Sequence, residues 1–126
     1  MTQTPIPTQI QRLKKSNQLR LIYSDSQFEL PAEFLRVHSP SAEVQGHGNE
    51  PMKLVLGKQH VGISKIEPVG HYAIRLVFSD NHNSGLFSWH YLSELQANHD
   101  ELWQKYQTRV SEHEASKDSV PIKFVP

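Results

Sequence analysis

The sequence contains no cysteine among its 126 residues. This absence excludes disulfides, thiolate zinc sites, iron–sulfur ligation by this chain alone and a cysteine nucleophile. No segment approaches the roughly 18 consecutive apolar residues that a membrane span requires. The first residues, MTQTPIPTQIQ, lack the apolar core of a secretory signal. These absences predict a cytoplasmic protein that does not associate with membranes.

Excess charge of either sign is also missing, because 13 basic and 13 acidic side chains cancel. A nucleic-acid binder usually carries a basic excess, since neutralising phosphates supplies most of its affinity. One local basic cluster surrounds a predicted turn and is interpreted as a solvated hairpin. It consists of Arg12, Lys14, Lys15 and Arg20. The sequence therefore predicts no nucleic-acid partner.

Familiar catalytic motifs are absent as well. The sequence has no G-x-S-x-G nucleophile elbow, no H-E-x-x-H zinc motif and no complete glycine-rich phosphate loop. Gly46-His47-Gly48 places two glycines close together without the rest of a phosphate-binding frame. We therefore expect no enzymatic activity and no cofactor.

The first half of the chain shows the alternation of half-buried strands. Leu19, Leu21 and Tyr23 share one face at a period of two residues, which predicts a meander of two or three antiparallel strands. Proline at the start of residues 31–36 predicts a short helix there. Residues 39–51 are rich in helix and strand breakers, so we expect a loop.

The second half begins with further strands. Residues 61–69 predict one strand, and Gly70 marks a turn into the next. Four apolar residues of this next strand are predicted to share one face, namely Tyr72, Ile74, Leu76 and Phe78. A short strand is also predicted from the alternation of Met52, Leu54 and Leu56.

From Ser88 the apolar period becomes helical. Ser88 is a candidate N-cap, and one apolar stripe continues at helical spacing along a single long helix. The stripe consists of Leu92, Leu95, Leu102, Trp103, Tyr106 and Val110. Together these elements predict an α+β fold, in which an antiparallel sheet carries a short helix and a long C-terminal helix packed on it. We expect the domain to span residues 8–111, between flexible termini at 1–7 and 112–126.

Histidine is unusually frequent, with eight residues. Neutral imidazole is a common metal ligand, and His38, His47 and His82 all fall in or beside predicted loops that could approach one another. These three are the candidate residues for a metal or small-ligand site. Their spacing matches no metal-binding motif, however, so singly hydrogen-bonded or exposed histidines are the favoured interpretation.

A catalytic alternative involves Asp80 and His82, which could act as a general acid–base pair. The surrounding sequence, Asp-Asn-His-Asn-Ser-Gly, is also typical of an ordinary strand-connecting turn. The turn is the favoured interpretation.

The order of the motifs resembles a known family. A phenylalanine–leucine–arginine run at 34–36 is followed by Gly-His-Tyr-Ala-Ile at 70–74 and by Phe-Ser-Asp-Asn-His-Asn-Ser-Gly-Leu-Phe-Ser-Trp at 78–89. This pattern is similar to an uncharacterised bacterial family related to the N-terminal domain of gamma-butyrobetaine hydroxylase. The resemblance implies a compact α+β domain. In the hydroxylases such a domain precedes a separate iron(II)/2-oxoglutarate catalytic domain, and elsewhere it occurs alone or joined to iron–sulfur carrier ATPases.

The resemblance also implies a zinc site that this sequence does not retain. In many members, three cysteines of a C-x-C-x-x-C run and the histidine of the D-x-H turn bind zinc. The positions that match the cysteines are Ser39, Ser41 and Val44, and only His82 remains of the ligands. Serine is a poor zinc ligand and valine is none.

These observations lead to one principal hypothesis and one alternative. The principal hypothesis is a stand-alone, metal-free accessory or binding domain that acts through a protein partner. The alternative is a small-ligand or metal-binding protein that uses His38, His47 and His82.

Overall fold

The structure, a computed structural model, describes residues 4–40, 54–82 and 85–118. The elements in chain order are the strands and helices β1 (Gln9–Leu13), β2 (Gln18–Ile22), β3 (Gln27–Pro31), α1 (Ala32–Val37), β4 (Ile63–Val69), β5 (Ala73–Phe78), β6 (Gly85–Ser88), α2 (Trp89–Ala97) and α3 (His99–Asp118). This mixture of antiparallel strands and helices confirms the predicted α+β class. No helix within the described ranges is both long and apolar enough to cross a membrane.

The strands form two three-stranded antiparallel sheets, β1-β2-β3 and β4-β5-β6. In the first sheet the chain turns at Asn17, whose φ of 57° lies in the left-handed region that asparagine tolerates. Leu19 then pairs with Leu30 across β2 and β3, and both side chains are buried. The period-two pattern of the sequence thus becomes one buried face of a meander.

The second sheet turns at Gly70, whose φ is 56°. The turn lies where the sequence predicted it, but it extends through Tyr72, and β5 begins only at Ala73. The prediction that Tyr72 shares a strand face with Ile74, Leu76 and Phe78 is therefore wrong, since Tyr72 lies in the turn and its side chain is 57 % exposed. Residues 54–56 also form no strand, so the predicted short strand there is wrong over its described part.

One apolar cluster joins the two sheets and the helices. It includes residues from β2, α1, β5 and β6, with Phe34, Phe78 and Phe87 among its largest fully buried side chains. Polar contacts add a second link between the sheets. The Arg12 guanidinium donates to the Ile63 carbonyl at 3.1 Å, and Asn17 Nδ2 donates to the Val61 carbonyl at 2.7 Å.

The predicted single long helix is two helices. Ser88 caps α2 as expected, accepting the Tyr91 N–H at 3.0 Å. The first helix ends at Asn98, which has φ −114° and ψ 18° and whose side-chain amide donates to the Glu94 carbonyl at 3.0 Å. Asparagine competes for backbone hydrogen bonds in this way, which favours a helix end over a helix interior.

The second helix, α3, continues to Asp118. Residues 112–118 are therefore helical, although the sequence assigned them to a flexible tail. The physical reason is that this stretch is rich in residues of good helix propensity and has no proline before 121.

Candidate functional site

Ser39 and His82 lie together, as the family resemblance implies. Ser39 follows α1, and His82 lies in the turn after β5. The Ser39 hydroxyl and His82 Nε2 are 2.9 Å apart in a hydrogen bond, and both side chains are buried. Gly85 packs against this pair so closely that a Cβ at this position would collide with Ser39 Oγ. The pair is therefore an enclosed contact in which the backbone of β6 forms one wall.

Asp80 lies in the same turn, and its carboxylate pairs with two cationic side chains. Its Oδ2 accepts a hydrogen bond from Arg36 Nε at 2.9 Å and from Lys58 Nζ at 2.6 Å. Burial alone would raise the pKa of Asp80, but the bonds from Lys58 and Arg36 outweigh burial and lower this pKa to about 2. Asp80 is thus an ionised internal counter-ion, and its other oxygen accepts the backbone N–H of His82 at 3.3 Å.

Arg36 is the most buried residue of the polar cluster that it forms with Asp80 and Lys58, and only 6 % of its surface is exposed. Its Nη1 is a buried nitrogen without a hydrogen-bond partner among the residues that the structure describes. Asp80 is therefore the group that neutralises a guanidinium held inside the fold. The sequence had favoured an ordinary turn at Asp80, with an acid–base pair with His82 as the alternative.

His38 is also buried, at the C-terminal end of α1. Its Nδ1 lies 2.8 Å from the Phe34 carbonyl, and since a carbonyl can only accept, Nδ1 carries the proton. Burial lowers the pKa of His38, with a smaller contribution from nearby His99. The ring is consequently neutral, and its centroid lies 4.5 Å from that of Phe34.

The other proposed ligand positions, His47, Ser41 and Val44, lie outside the described residues. Within the part of the chain that the structure describes, no group of three or more histidine, aspartate or glutamate side chains could hold a metal ion.

A groove of about 630 Å³ lies where the end of α1 meets α2 and α3. Its apolar lining comes from all three helices and consists of Val37, Leu95 and Leu102 with the rings of Tyr91 and Tyr106. Its polar lining consists of His38, Glu94, Asn98, Glu101, Lys105 and Arg109. Volumes of this size are common for binding sites in proteins.

Two tyrosine hydroxyls at the sides of the groove donate hydrogen bonds to backbone carbonyls. The Tyr91 hydroxyl donates to the His38 carbonyl at 2.5 Å, and the Tyr106 hydroxyl donates to the Val55 carbonyl at 2.8 Å. Burial, followed by the nearby Glu94 carboxylate, raises the pKa of Tyr91 to about 12. The Tyr91 hydroxyl therefore stays protonated and remains a donor at physiological pH.

The charges of the groove are separated along its length. Glu94 Oε1 lies 2.6 Å from His90 Nε2, and Glu101 lies 3.9 Å from Lys105. Arg109, at the far end, is half-buried. It forms no ion pair with any residue that the structure describes.

Sequence reasoning missed this groove because it assumed one straight helix. The break at Asn98 separates α2 from α3, so the groove is lined by residues of both helices. The signal in the sequence was the interruption of the apolar stripe at Asn98-His99, where polar residues occupy the junction.

The fold and the polar cluster define a small α+β domain with buried polar contacts beside an open helical groove. The sequence profile described as gamma-butyrobetaine hydroxylase-like, N-terminal, matches residues 10–93 of this domain. The chain therefore belongs to the gamma-butyrobetaine hydroxylase-like N-terminal family, which confirms the resemblance seen in the sequence.

Solved structures support this assignment. A protein solved by NMR in solution is 51 % identical, with a TM-score of 0.74 and coverage of 86 % of each chain. A second NMR structure is 42 % identical over 100 % of this chain and 99 % of the other, with a TM-score of 0.75. A crystal structure from Acidithiobacillus ferrooxidans, of a DUF971 family protein of unknown function, is 39 % identical. Its TM-score is 0.61, and the match covers 72 % of this chain and 92 % of that protein. Comparison with curated proteins finds no match.

Proposed function

We propose that this chain is a non-catalytic accessory domain of the cytoplasm that binds a protein partner. The observation that carries the proposal is the groove of α1, α2 and α3, which combines an apolar floor with charged residues along its rim. Binding surfaces for helices and extended segments commonly have this composition.

The polar residues near the family motif support a non-catalytic role. Asp80 neutralises Arg36 and Lys58, while Ser39 is fully buried against His82. A nucleophile or general acid must reach its substrate within hydrogen-bond distance. A serine with 0 % exposure offers no such access.

The same residues support loss of the family's zinc site as part of the proposal. Zinc in structural sites is held by thiolates and imidazoles, whereas Ser39 supplies a hydroxyl that hydrogen-bonds His82 Nε2. This donor set does not fit zinc. The residues instead satisfy each other through a hydrogen bond.

Two measurements test the proposal. Elemental analysis of the protein purified without a histidine tag, together with a zinc titration followed by imidazole NMR, should give substoichiometric metal and no tight binding. One tightly held metal per chain, with shifts at His38, His47 and His82, would instead favour the metal-binding alternative.

The partner itself is tested by isolating the chain from its own cells under native conditions. The co-purifying protein is then produced separately and titrated calorimetrically against the purified chain, and a saturable complex is expected. Turnover of any substrate by the isolated chain would contradict the proposal.

A further inference from the structure

The groove lined by α1, α2 and α3 is long and open. It runs from Asn98, at the junction of the two helices α2 and α3, to Arg109 on α3, about 16 Å at the rise of an α-helix. Four of its rim residues are exposed to solvent, namely Glu94, Asn98, Glu101 and Lys105. Sites for small molecules usually enclose most of the ligand. A trough of this length is better suited to a segment of polypeptide.

The apolar floor of the groove favours a bound segment that presents apolar side chains at regular intervals. Leu95 is fully packed in the core, while Leu102 and the Tyr106 ring are half-buried along the next turns of the chain. A helical segment that presents apolar residues three, four and seven positions apart would cover such a floor.

The charged residues of the groove favour one orientation of the bound polypeptide segment. Glu94 and Glu101 lie towards one end, and Lys105 and Arg109 lie towards the other. Both carboxylates have a contact, Glu94 with His90 and Glu101 with Lys105. Arg109 is half-buried and lacks an ion pair within the described ranges. An acidic group on the partner, located at the Arg109 end, would complement this guanidinium, which has no ion-pair partner among the described residues.

We propose that the groove binds an amphipathic segment of the partner protein whose apolar face covers Leu102 and Tyr106 and whose acidic end pairs with Arg109. This inference rests on the proposed function and specifies the chemistry of the partner. The basic groups Lys105 and Arg109 determine direction, since the reversed segment would bring its acidic end to Glu94.

Two designed peptides test the charge requirement against the full chain. Each has about 12 residues, roughly 18 Å when helical, blocked ends and the same leucine pattern. One ends in two glutamates and its twin ends in two lysines. Fluorescence anisotropy should show binding of the glutamate peptide about fivefold tighter, the scale of one partly exposed ion pair. Arg109→Glu should reverse the preference. The matched control Lys65→Glu, at an exposed lysine on β4, should leave it unchanged.

Amide NMR shifts should place the glutamate peptide along α2 and α3. Equal binding of the two peptides, or a preference that Arg109→Glu does not alter, would overturn the inference. A self-associated species that fills the groove, detected by sedimentation of the chain alone, would also overturn it, because the occupant would then be a second copy.

A cross-linking experiment separates this inference from the proposed function. A photoreactive phenylalanine replaces Thr108, which is exposed beside Arg109, or Lys65 on β4. In the chain's own cells, a cross-link from position 108 to an acidic amphipathic segment supports the inference. A cross-link from position 65 alone overturns the groove as the binding surface and leaves the proposed function intact. No cross-link from either position, with both peptides also unbound, would contradict both.

Discussion

At the scale of single residues, the protonation of His38 makes the stability of the C-terminal end of α1 depend on pH. Its Nδ1–H donates to the Phe34 carbonyl, and burial lowers its pKa from 6.5. In the unfolded chain the imidazole accepts a proton more readily than in the folded chain. The stability that depends on neutral His38 is therefore present above pH 6.5 and is lost as the pH falls towards the folded-state pKa.

We expect the urea midpoint to decrease between pH 8 and pH 5, with a shallower decrease in His38→Gln. Glutamine retains an amide donor without a titrating group. The control is His113→Gln, because His113 is exposed on α3. An unchanged pH profile in His38→Gln would exclude this histidine as a source of the effect.

Asp80 determines whether Arg36 can remain buried. Asp80→Asn removes the counter-ion of a guanidinium with only 7 % side-chain exposure. We expect a loss of about 2 kcal/mol, less than for a fully buried pair because Asp80 retains some contact with solvent. Urea unfolding at pH 7 measures the loss.

The matched control for Asp80 is Glu67→Gln, which removes an exposed pair with Arg75 at 4.0 Å. This change should cost no more than about 0.5 kcal/mol. The contribution of Asp80 should be present above pH 3.8 and be lost as the pH falls towards 2. Equal effects of the two substitutions would contradict the role of Asp80 as an internal counter-ion.

Gly85 is required by contact and not by backbone conformation. A Cβ there would collide with Ser39 Oγ and lie 3.1 Å from the Phe87 ring. Gly85→Ala should therefore destabilise the fold by about 2 kcal/mol. Adding Ser39→Ala removes the closer clash, so the double variant should recover part of this loss. Thermal unfolding of both single variants and the double variant provides the test, and additive losses would refute the proposed clash.

At the scale of elements, the strands of the first sheet were predictable from the sequence, whereas the helix junction was not. Leu19 and Leu21 alternate with polar residues, and this local period survives in the structure because each sheet buries one face. The end of α2 lies instead at Asn98, whose backbone N–H and side-chain amide both donate to the Glu94 carbonyl. The apolar stripe predicts the helical face, but its short interruption at Asn98-His99 does not by itself predict a break in the helix.

The candidate site likewise has one part that the sequence predicted and another part that it did not. Ser39 and His82 were paired from the family resemblance, and they lie 2.9 Å apart. The groove was not predicted, because residues from α1, α2 and α3 meet there only after tertiary packing. Tyr72 shows the opposite error, since its core-like spacing ends in an exposed turn.

The N-cap of α2 provides a prediction at this scale. The Ser88 hydroxyl accepts the Tyr91 N–H, and Tyr91 forms one side of the groove. Ser88→Ala should cost about 1 kcal/mol, whereas Ser88→Asp should retain most of the stability because aspartate is also a good cap. Urea unfolding compares the two variants. If Ser88→Asp were as unstable as Ser88→Ala, the cap would not be the source of the loss.

At the scale of the whole molecule, the two sheets depend on one core. Leu21 of the first sheet and Leu76 of the second belong to the same buried cluster. Arg12 and Asn17, from the first sheet and its turn, also donate to carbonyls at and just before β4. A sheet that separated from its neighbour would expose this shared apolar surface and break these bonds at once. The two sheets should therefore unfold as a single cooperative unit.

Native-state hydrogen exchange tests this cooperativity. The slowest amides of β2 and β5 should report the same opening free energy, since the shared core opens only as a whole. Arg12→Ala, which removes the guanidinium donor to Ile63 and Ser64, should lower both values by about 1 kcal/mol. Lys14→Ala changes an exposed side chain on the turn between β1 and β2 and should leave both values unchanged. If Arg12→Ala instead lowered protection in β2 while β5 kept its value, the sheets would be independent units.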